Sequence, residues 1–262
     1  MKRTTEQDYR RRIAKVVEHI LLDPADEHTV ESLAAVAHLS PYHFHRIYRE
    51  ITGESVAATV QRIRLAGASQ QLLETGETVA EAAIGNGYNS PQAFARAFRA
   101  LAGMSPSAFQ AAQQGIASLP VIEQPTMRVL CLRHAGPLAA IPHSYARLRN
   151  WLVPQLPADG SFVEMGYTCE HGRQYYASIV PSVPIAAGGE FESHELEGGR
   201  YVVYRHQGAY ALIATALRNL ITQWLPHSGH TLDARPVMEI YRNDCLLTPA
   251  PALLTDLLIP IR

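Results

Sequence analysis

Two stretches of this chain carry cationic and hydrogen-bonding side chains at the same helical spacing. Tyr42, His45, Arg46 and Arg49 follow Ser40-Pro41, and fifty residues on (40 to 90) Gln92, Ala95, Arg96 and Arg99 follow Ser90-Pro91. Positions i, i+3, i+4 and i+7 share one side of a helix. Each set is therefore a polar face able to offer a guanidinium fork to guanine, or single contacts to phosphate. The opposite sides, Phe44, Ile47, Tyr48, Ile51 and Phe94, Ala97, Phe98, Leu101, read as core stripes.

A second candidate chemistry lies near the end of the chain. On a strand through Pro236-Val237-Met238-Glu239-Ile240-Tyr241, alternation puts Val237, Glu239 and Tyr241 on one face, a carboxylate beside a phenol. For Glu239 the alternative is an exposed strand glutamate; Tyr145, Trp151, Tyr167 and Trp224 are candidate walls of such a site, with plain core as their alternative. A glutamate base with Tyr241 or Tyr167 as acid would serve hydrolysis of a small molecule. Other candidates carry less. His134 and His206 lack a ligand partner at metal spacing and read as turn residues, and Cys169-Glu170-His171 would point its neighbours to opposite strand faces. Three widely spaced cysteines, Cys131, Cys169 and Cys245, read as reduced thiols, with no metal or cofactor implied.

Each polar face needs a helix, and each has a start signal: a serine to cap free amides, then a proline preset for the first helical position. Upstream segments Val30 to Leu39 and Val79 to Tyr88 make each copy a helix, a tight turn and a helix. Glu31 is answered by Glu81, Gly53 and Ser55 by Gly103 and Ser105. A helix over 6–22 braces the first copy, Thr29 caps the next, and a long helix over 56–73 joins the copies. Gly67 costs that helix about 1 kcal/mol relative to alanine.

Residues 12–113 resemble the DNA-binding domain of the AraC family of bacterial transcription regulators, on Gly87-Tyr88, Ser90, Phe94, Arg96, Phe98, Gly103, Ser105 and Pro106. The resemblance implies an all-α double helix-turn-helix domain. It places base reading on Tyr42, His45 and Arg46 in the first unit and on Gln92 and Arg96 in the second, with Arg49 and Arg99 beside them. Its implied partners are double-stranded DNA and RNA polymerase. Gly85 and Ala95 depart from the family pattern, and Ala95 has no polar reach, so the second unit is expected to read fewer bases.

A second repeat, of period seventy-two, begins after small and polar residues. Arg128 to Gly136 and Arg200 to Gly208 each read as a strand ending in Arg-His-x-Gly, each followed by an amphipathic helix. Strands over 162–169 and 175–180, then 236–242 and 254–261, complete two βαββ units. Residues 124–262 resemble the GyrI-like effector-binding domain, an α+β fold of two pseudo-twofold related βαββ units. In that family the position of Glu239 lies in a ligand cleft, which implies a small-molecule effector. A buried carboxylate among aromatic rings suits a cationic or amphiphilic one. The expected organisation is a DNA-binding domain over 1–113, a linker over 114–123 and an effector domain over 124–262. The fused reader favours sensing of drugs or metabolites over catalysis; a hydrolase or protein-binding role for the effector domain is the alternative.

With 262 residues, 47% apolar and 18% charged, the chain can bury two cores. It has no membrane-length apolar run and no signal-like start, so a cytoplasmic location without membrane association is expected. Net charge is −1, and residues 1–115 hold twelve basic and twelve acidic groups. Phosphate attraction must then come from a local stripe: Lys2, Arg3, Arg10, Arg11, Arg12, Arg62, Arg64 and the recognition-helix arginines.

Overall fold

The computed structural model describes residues 3–74, 77–116, 118–135, 141–169, 174–245 and 247–262. Lys2, Gly136, Glu170 and His171 lie outside them, as does the side chain of Arg3. The chain divides into two compact units, residues 1–98 with 135–143 and residues 99–134 with 144–262.

The first unit is helical. Its elements are α1 (Arg3–Leu22), α2 (Val30–Val36), α3 (Pro41–Thr52), α4 (Val56–Glu74), α5 (Val79–Gly85) and the greater part of α6 (Pro91–Ala102). Apolar residues at helical spacing make the core: Ile13, Val16 and Ile20 of α1, Leu33 of α2, Phe44, Ile47 and Tyr48 of α3, and Val60 and Ile63 of α4. Inside it the Tyr48 hydroxyl donates to Thr59 Oγ1 at 2.8 Å. Thr59 in turn donates to Glu54 at 2.7 Å. A buried phenol is thereby satisfied, as burial requires.

The second unit opens with α7 (Pro106–Gln114) and is built on one eight-stranded antiparallel sheet in the order β1-β6-β8-β7-β3-β4-β2-β5. Its strands are β1 (Val121–Gln124), β2 (Met127–Arg133), β3 (Phe162–Cys169), β4 (Gln174–Pro181), β5 (Glu192–Leu196), β6 (Gly199–Gln207), β7 (Val237–Tyr241) and β8 (Leu254–Pro260). Helix α8 (Ile141–Leu152) follows β2, and α9 (Ile213–Asn219), continued by a π turn to Trp224, follows β6. The two βαββ units expected from the repeat are β2-α8-β3-β4 and β6-α9-β7-β8.

Two strands, β1 and β5, lie outside the two repeat units. β1 and β5 each precede a βαββ unit but pair with the other one, β1 with β6 and β5 with β2. Residues 121–123, expected in the linker, are therefore sheet. Their exposed edge pattern carries no alternation to reveal a strand. Within this unit α7 is also fixed: buried Gln113 donates to the Tyr204 hydroxyl at 2.6 Å, and its carbonyl accepts from Asn219 at 3.0 Å.

Strand register defines the pseudo-symmetry. Leu130 pairs with Ile179, and Val202 pairs with Ile259. Gly166 pairs with Ala177, and Glu239 pairs with Leu257. Hence Gly166 and Glu239 occupy matching places, as do Thr168 and Tyr241, and Tyr175 and Thr255. The two central strands meet at this point, since Gly166 and Glu239 also pair with each other. One sheet face carries the helices. The other is lined by Val129, Cys131, Met165, Tyr167, Tyr201, Met238 and Leu258, a core cluster drawn entirely from strands.

Candidate nucleic-acid interface and buried carboxylate site

Helices α3 and α6 present what the sequence spacing predicts. Phe44, Ile47, Tyr48, Phe94 and Phe98 are buried, while Tyr42, His45, Arg46, Arg49, Gln92, Arg96 and Arg99 are exposed. Tyr42 is 83% exposed.

Arginine use separates two classes. Arg64 donates to the carbonyls of Pro24, Gly87 and Asp26, so its guanidinium is spent holding backbone. Arg62 pairs with Glu54 at 2.9 Å, and Arg12 bonds Asp8 and the carbonyls of Ala37 and His38. These three leave the expected basic stripe, because their donors close the fold. By contrast, among the described residues Arg46, Arg49, Arg96 and Arg99 have no hydrogen-bond or ion-pair partner. Four guanidinium forks on α3 and α6 therefore stand unpaired in solvent, and Tyr42, His45 and Gln92 on the same two helices are exposed as well.

Local geometry corrects two expectations. Ser40 makes no side-chain cap, so Pro41 alone presets the start of α3. Ser90 does cap, accepting from Ala93 N at 3.2 Å. The copies are also not in a single register. Leu39 N donates to Ala34 O and Tyr88 N to Ala83 O, both at 3.0 Å, which matches the turns at a spacing of forty-nine (34 to 83, 39 to 88). The caps agree: Thr29 bonds Ser32, and Thr78 bonds Glu81, so the counterpart of Glu81 is Ser32 and not Glu31. One extra residue before Ser90 restores a spacing of fifty. The turn places His38 at φ 53° where the second copy has Gly87 at φ 76°. A side chain at Gly87 would meet Ala25 O at 2.9 Å, so only glycine fits there.

In the second unit, Glu239 is 9% exposed. Among the described residues its carboxylate has one hydrogen-bond donor, the Tyr241 hydroxyl at 2.8 Å, and no cationic partner. Because Tyr241 gives its proton to Glu239, its oxygen accepts from Tyr175 at 2.7 Å. Tyr175 lies 3.0 Å from the Tyr145 hydroxyl, whose one proton is donated to Met165 O at 2.8 Å. Tyr145 and Tyr210 flank the Tyr241 ring, with centroids 5.5 and 4.9 Å away. Burial pushes the Glu239 carboxyl above its usual range, against the bond from Tyr241, which favours the ion. Burial also raises Tyr145, Tyr175 and Tyr241 well above an ordinary phenol. A chain of neutral phenols thus ends on a carboxylate that has no counter-ion among the described residues.

Glycine makes this arrangement possible. A Cβ at Gly166 would lie 2.6 Å from Tyr175 Cζ and nearer still to its hydroxyl. The Tyr175 side chain crosses β3 at the one residue without a side chain.

Of the wall residues expected from sequence, Tyr145 and Tyr241 join Glu239, and three do not. Tyr167 pairs with Met238, one residue along from the Gly166–Glu239 pair, so the pleat sends it to the opposite face. That position also removes it as an acid for Glu239. Trp151 stacks on Phe191 at 4.5 Å in the core under α8, and Trp224 packs against the Val202–Ile259 cluster. Aromatic type alone does not distinguish wall from core. Tyr175, Tyr210 and Gly166 went unread, the last because its use depends on a neighbour across the sheet. His206 lies 3.3 Å from Ala209 O, the local turn contact expected of it, while His134 lies 2.9 Å from Ser144 Oγ on α8 and the turn expected after it falls on residues 136–140, outside the described ones.

Comparison with known proteins adds two matches along the chain. A helix-turn-helix domain model matches residues 33–112, and a GyrI-like small molecule binding domain model matches residues 119–262. The bifunctional transcriptional activator/DNA repair enzyme AdaA of Bacillus subtilis is 30% identical over 95 residues, 36% of this chain and 45% of AdaA. The transcriptional activator RclR of Escherichia coli is 31% identical over 99 residues, 38% of this chain and 35% of RclR. The chain thus spans less than half the length of either. Among solved structures, the DNA-binding domain of AdpA in complex with a target DNA is 33% identical, covering 39% of this chain and 92% of that one at a TM-score of 0.38.

Proposed function

Since this chain belongs to the GyrI-like small-molecule binding family and carries an AraC-type helix-turn-helix domain, we propose that it is a transcriptional regulator that reads duplex DNA through α3 and α6 and senses a small apolar cation at Glu239. The observation that carries the ligand class is the buried carboxylate, which has a phenol donor and no cationic partner among the described residues. An amine or quaternary ammonium among the rings of Tyr145, Tyr210 and Tyr241 would supply the missing charge and gain cation–π attraction. Phenolic and aromatic walls with one charged group also fit the general make-up of ligand sites.

DNA reading rests on the four unpaired guanidinium groups. Arg46→Ala is expected to cost roughly 1–3 kcal/mol of base discrimination and to relax one operator position, as loss of a bidentate guanine contact does. Selection of operator fragments by both proteins measures this, and an unchanged preference in an Arg46→Ala, Arg96→Ala double variant would refute the assignment. The ligand class is tested by calorimetric titration with benzyltrimethylammonium and with its neutral carbon isostere. The cation should bind at least about tenfold tighter, a difference of about 1.4 kcal/mol. Equal affinities would remove the carboxylate from recognition. Regulation further requires that the cation bind the DNA-competent and incompetent states unequally. Operator titrations with and without it read that difference directly.

One contact favours a second reading. The Tyr241–Glu239 bond is an acid–base pair within proton-transfer reach, the arrangement a small-molecule hydrolase would use. Turnover of a bound ester or epoxide by the wild type, lost in Tyr241→Phe, would establish it.

A further inference from the structure

The strand-lined face opposite Glu239 brings together three groups of a different kind. Cys131 on β2 pairs with Glu192 on β5, and Val129 pairs with His194, so Cys131, Glu192 and His194 point to the same side. Their ligand atoms, the thiol sulfur, a carboxylate oxygen and an imidazole nitrogen, all lie within 4.8 Å of one another. Tetrahedral ligands at bonds of about 2.0–2.3 Å stand roughly 3.5 Å apart, a distance that rotamer adjustment can reach. We propose that Cys131, Glu192 and His194 form a binding site for a thiophilic divalent metal ion, zinc foremost.

Several features beyond proximity favour an ion. The donor set of one thiolate, one carboxylate and one neutral imidazole balances a 2+ charge, and it joins a soft, a hard and a borderline ligand, all three of types that zinc accepts. His194 is already held in a ligating pose. Its Nε2 lies 2.8 Å from Glu192, and its Nδ1 lies 2.5 Å from the Tyr167 hydroxyl. With Nε2 on the metal, Nδ1–H donates to Tyr167, an outer partner of the sort that fixes ligating histidines. The Tyr167 ring is itself fixed by stacking on Tyr176 at 4.9 Å and 4°. The site also has a dry wall and an open side: Cys131 is fully buried, while the Glu192 side chain is 54% exposed and that of His194 32%. An ion can enter from solvent and leave one position to water. On binding, the Cys131 S–H proton passes to solvent and a sulfur–metal bond replaces it, without change of oxidation state.

This inference does not rest on the effector reading, since the groups lie on the other sheet face. The test uses the full chain, reduced and freed of metal with a chelator, titrated with Co²⁺. The expected result is a thiolate-to-cobalt charge-transfer band with tetrahedral d–d absorption, saturating at one ion per chain and reversed by Zn²⁺. Cys131→Ser should abolish the charge-transfer band, and Cys245→Ser should leave it. Tyr167→Phe should weaken affinity about tenfold, the low end for loss of an outer partner. Because Cys131 is in the core, His194→Gln at the open side serves as a second ligand deletion and should also remove saturable binding. No charge-transfer band in the folded wild type, or a band that persists in His194→Gln and vanishes in Cys245→Ser, would overturn the site.

Discussion

In the first βαββ unit the place beside the molecule's pseudo-twofold axis holds Gly166; in the second unit the matching place holds Glu239. The same inequality runs outward from there. Thr168 stands where the second half has Tyr241, and Tyr175 where the second half has Thr255. Each half contributes something the other lacks: the second brings the carboxylate and its phenol donor, the first brings Tyr145, Tyr175 and the space at Gly166. Symmetry itself explains why the halves had to diverge. Gly166 and Glu239 are cross-strand partners, so a strictly symmetric pair would set two buried carboxylates face to face. Two such groups cannot both ionise, and one would hold a proton in place of a ligand. A duplicated fold yields one charged site by emptying the matching position.

The largest effect should come from Glu239→Gln, which removes the charge from the loaded half. A cationic ligand should lose about 2–5 kcal/mol of affinity, as when a buried charge pair is truncated. Ligand-free operator affinity should not change. Paired calorimetric and DNA titrations check both. The wild type should show a matching pH effect. Since burial raises the Glu239 pKa, cation affinity should fall as pH drops through that raised value and recover above it.

Stability should follow the opposite course. A carboxyl with a raised folded pKa contributes fully below its unfolded value, and the contribution is lost as pH rises through the folded one. Glu239→Gln should therefore gain on the wild type with rising pH in denaturant titrations, and a constant gap would show that the carboxyl is not desolvated.

Next in size is Gly166→Ala, which fills the emptied half. The new methyl collides with a phenol bonded to Tyr241 and set against Tyr145, so about 1–3 kcal/mol of stability should be lost. In a Tyr175→Ala background the same substitution should cost far less. A smaller loss, about 0.5–1.5 kcal/mol, is expected from Tyr175→Phe, which deletes the link between two phenols. Its counterpart behaves differently. The Thr255 hydroxyl is buried with no hydrogen-bond partner among the described residues. Thr255→Val should be neutral or stabilising by up to about 1 kcal/mol. Equal losses at Tyr175 and Thr255 would erase the distinction between the halves.

The helix-turn-helix region was legible because its signals are local. Ser-Pro starts, threonine caps and a 3.6-residue apolar stripe act within one or two turns of chain, and α3 and α6 follow from them. The second repeat was legible for the same reason at the level of elements, since strand, helix and strand each carry their own period. Its exposed edge strands were not, because pairing with the other half, and not their own pattern, makes β1 and β5 strands.

Sequence by itself determined the two repeats, the polar faces of α3 and α6, and Glu239 beside Tyr241 on one strand face. Only the tertiary structure decided which groups are spent and which are free. Arg62, Arg64 and Arg46 are the same residue type, yet the first two are consumed by Glu54 and by carbonyls some forty residues away, while the third meets solvent. Tyr175 and Tyr167 are likewise both β-strand tyrosines, but register alone sends one across Gly166 to the carboxylate and the other toward Cys131 and His194. The physical reason is common to both cases. A side chain's chemistry is set by its type, but its partner is set by pleat and pairing, and a shift of one residue along a strand exchanges one face for the other.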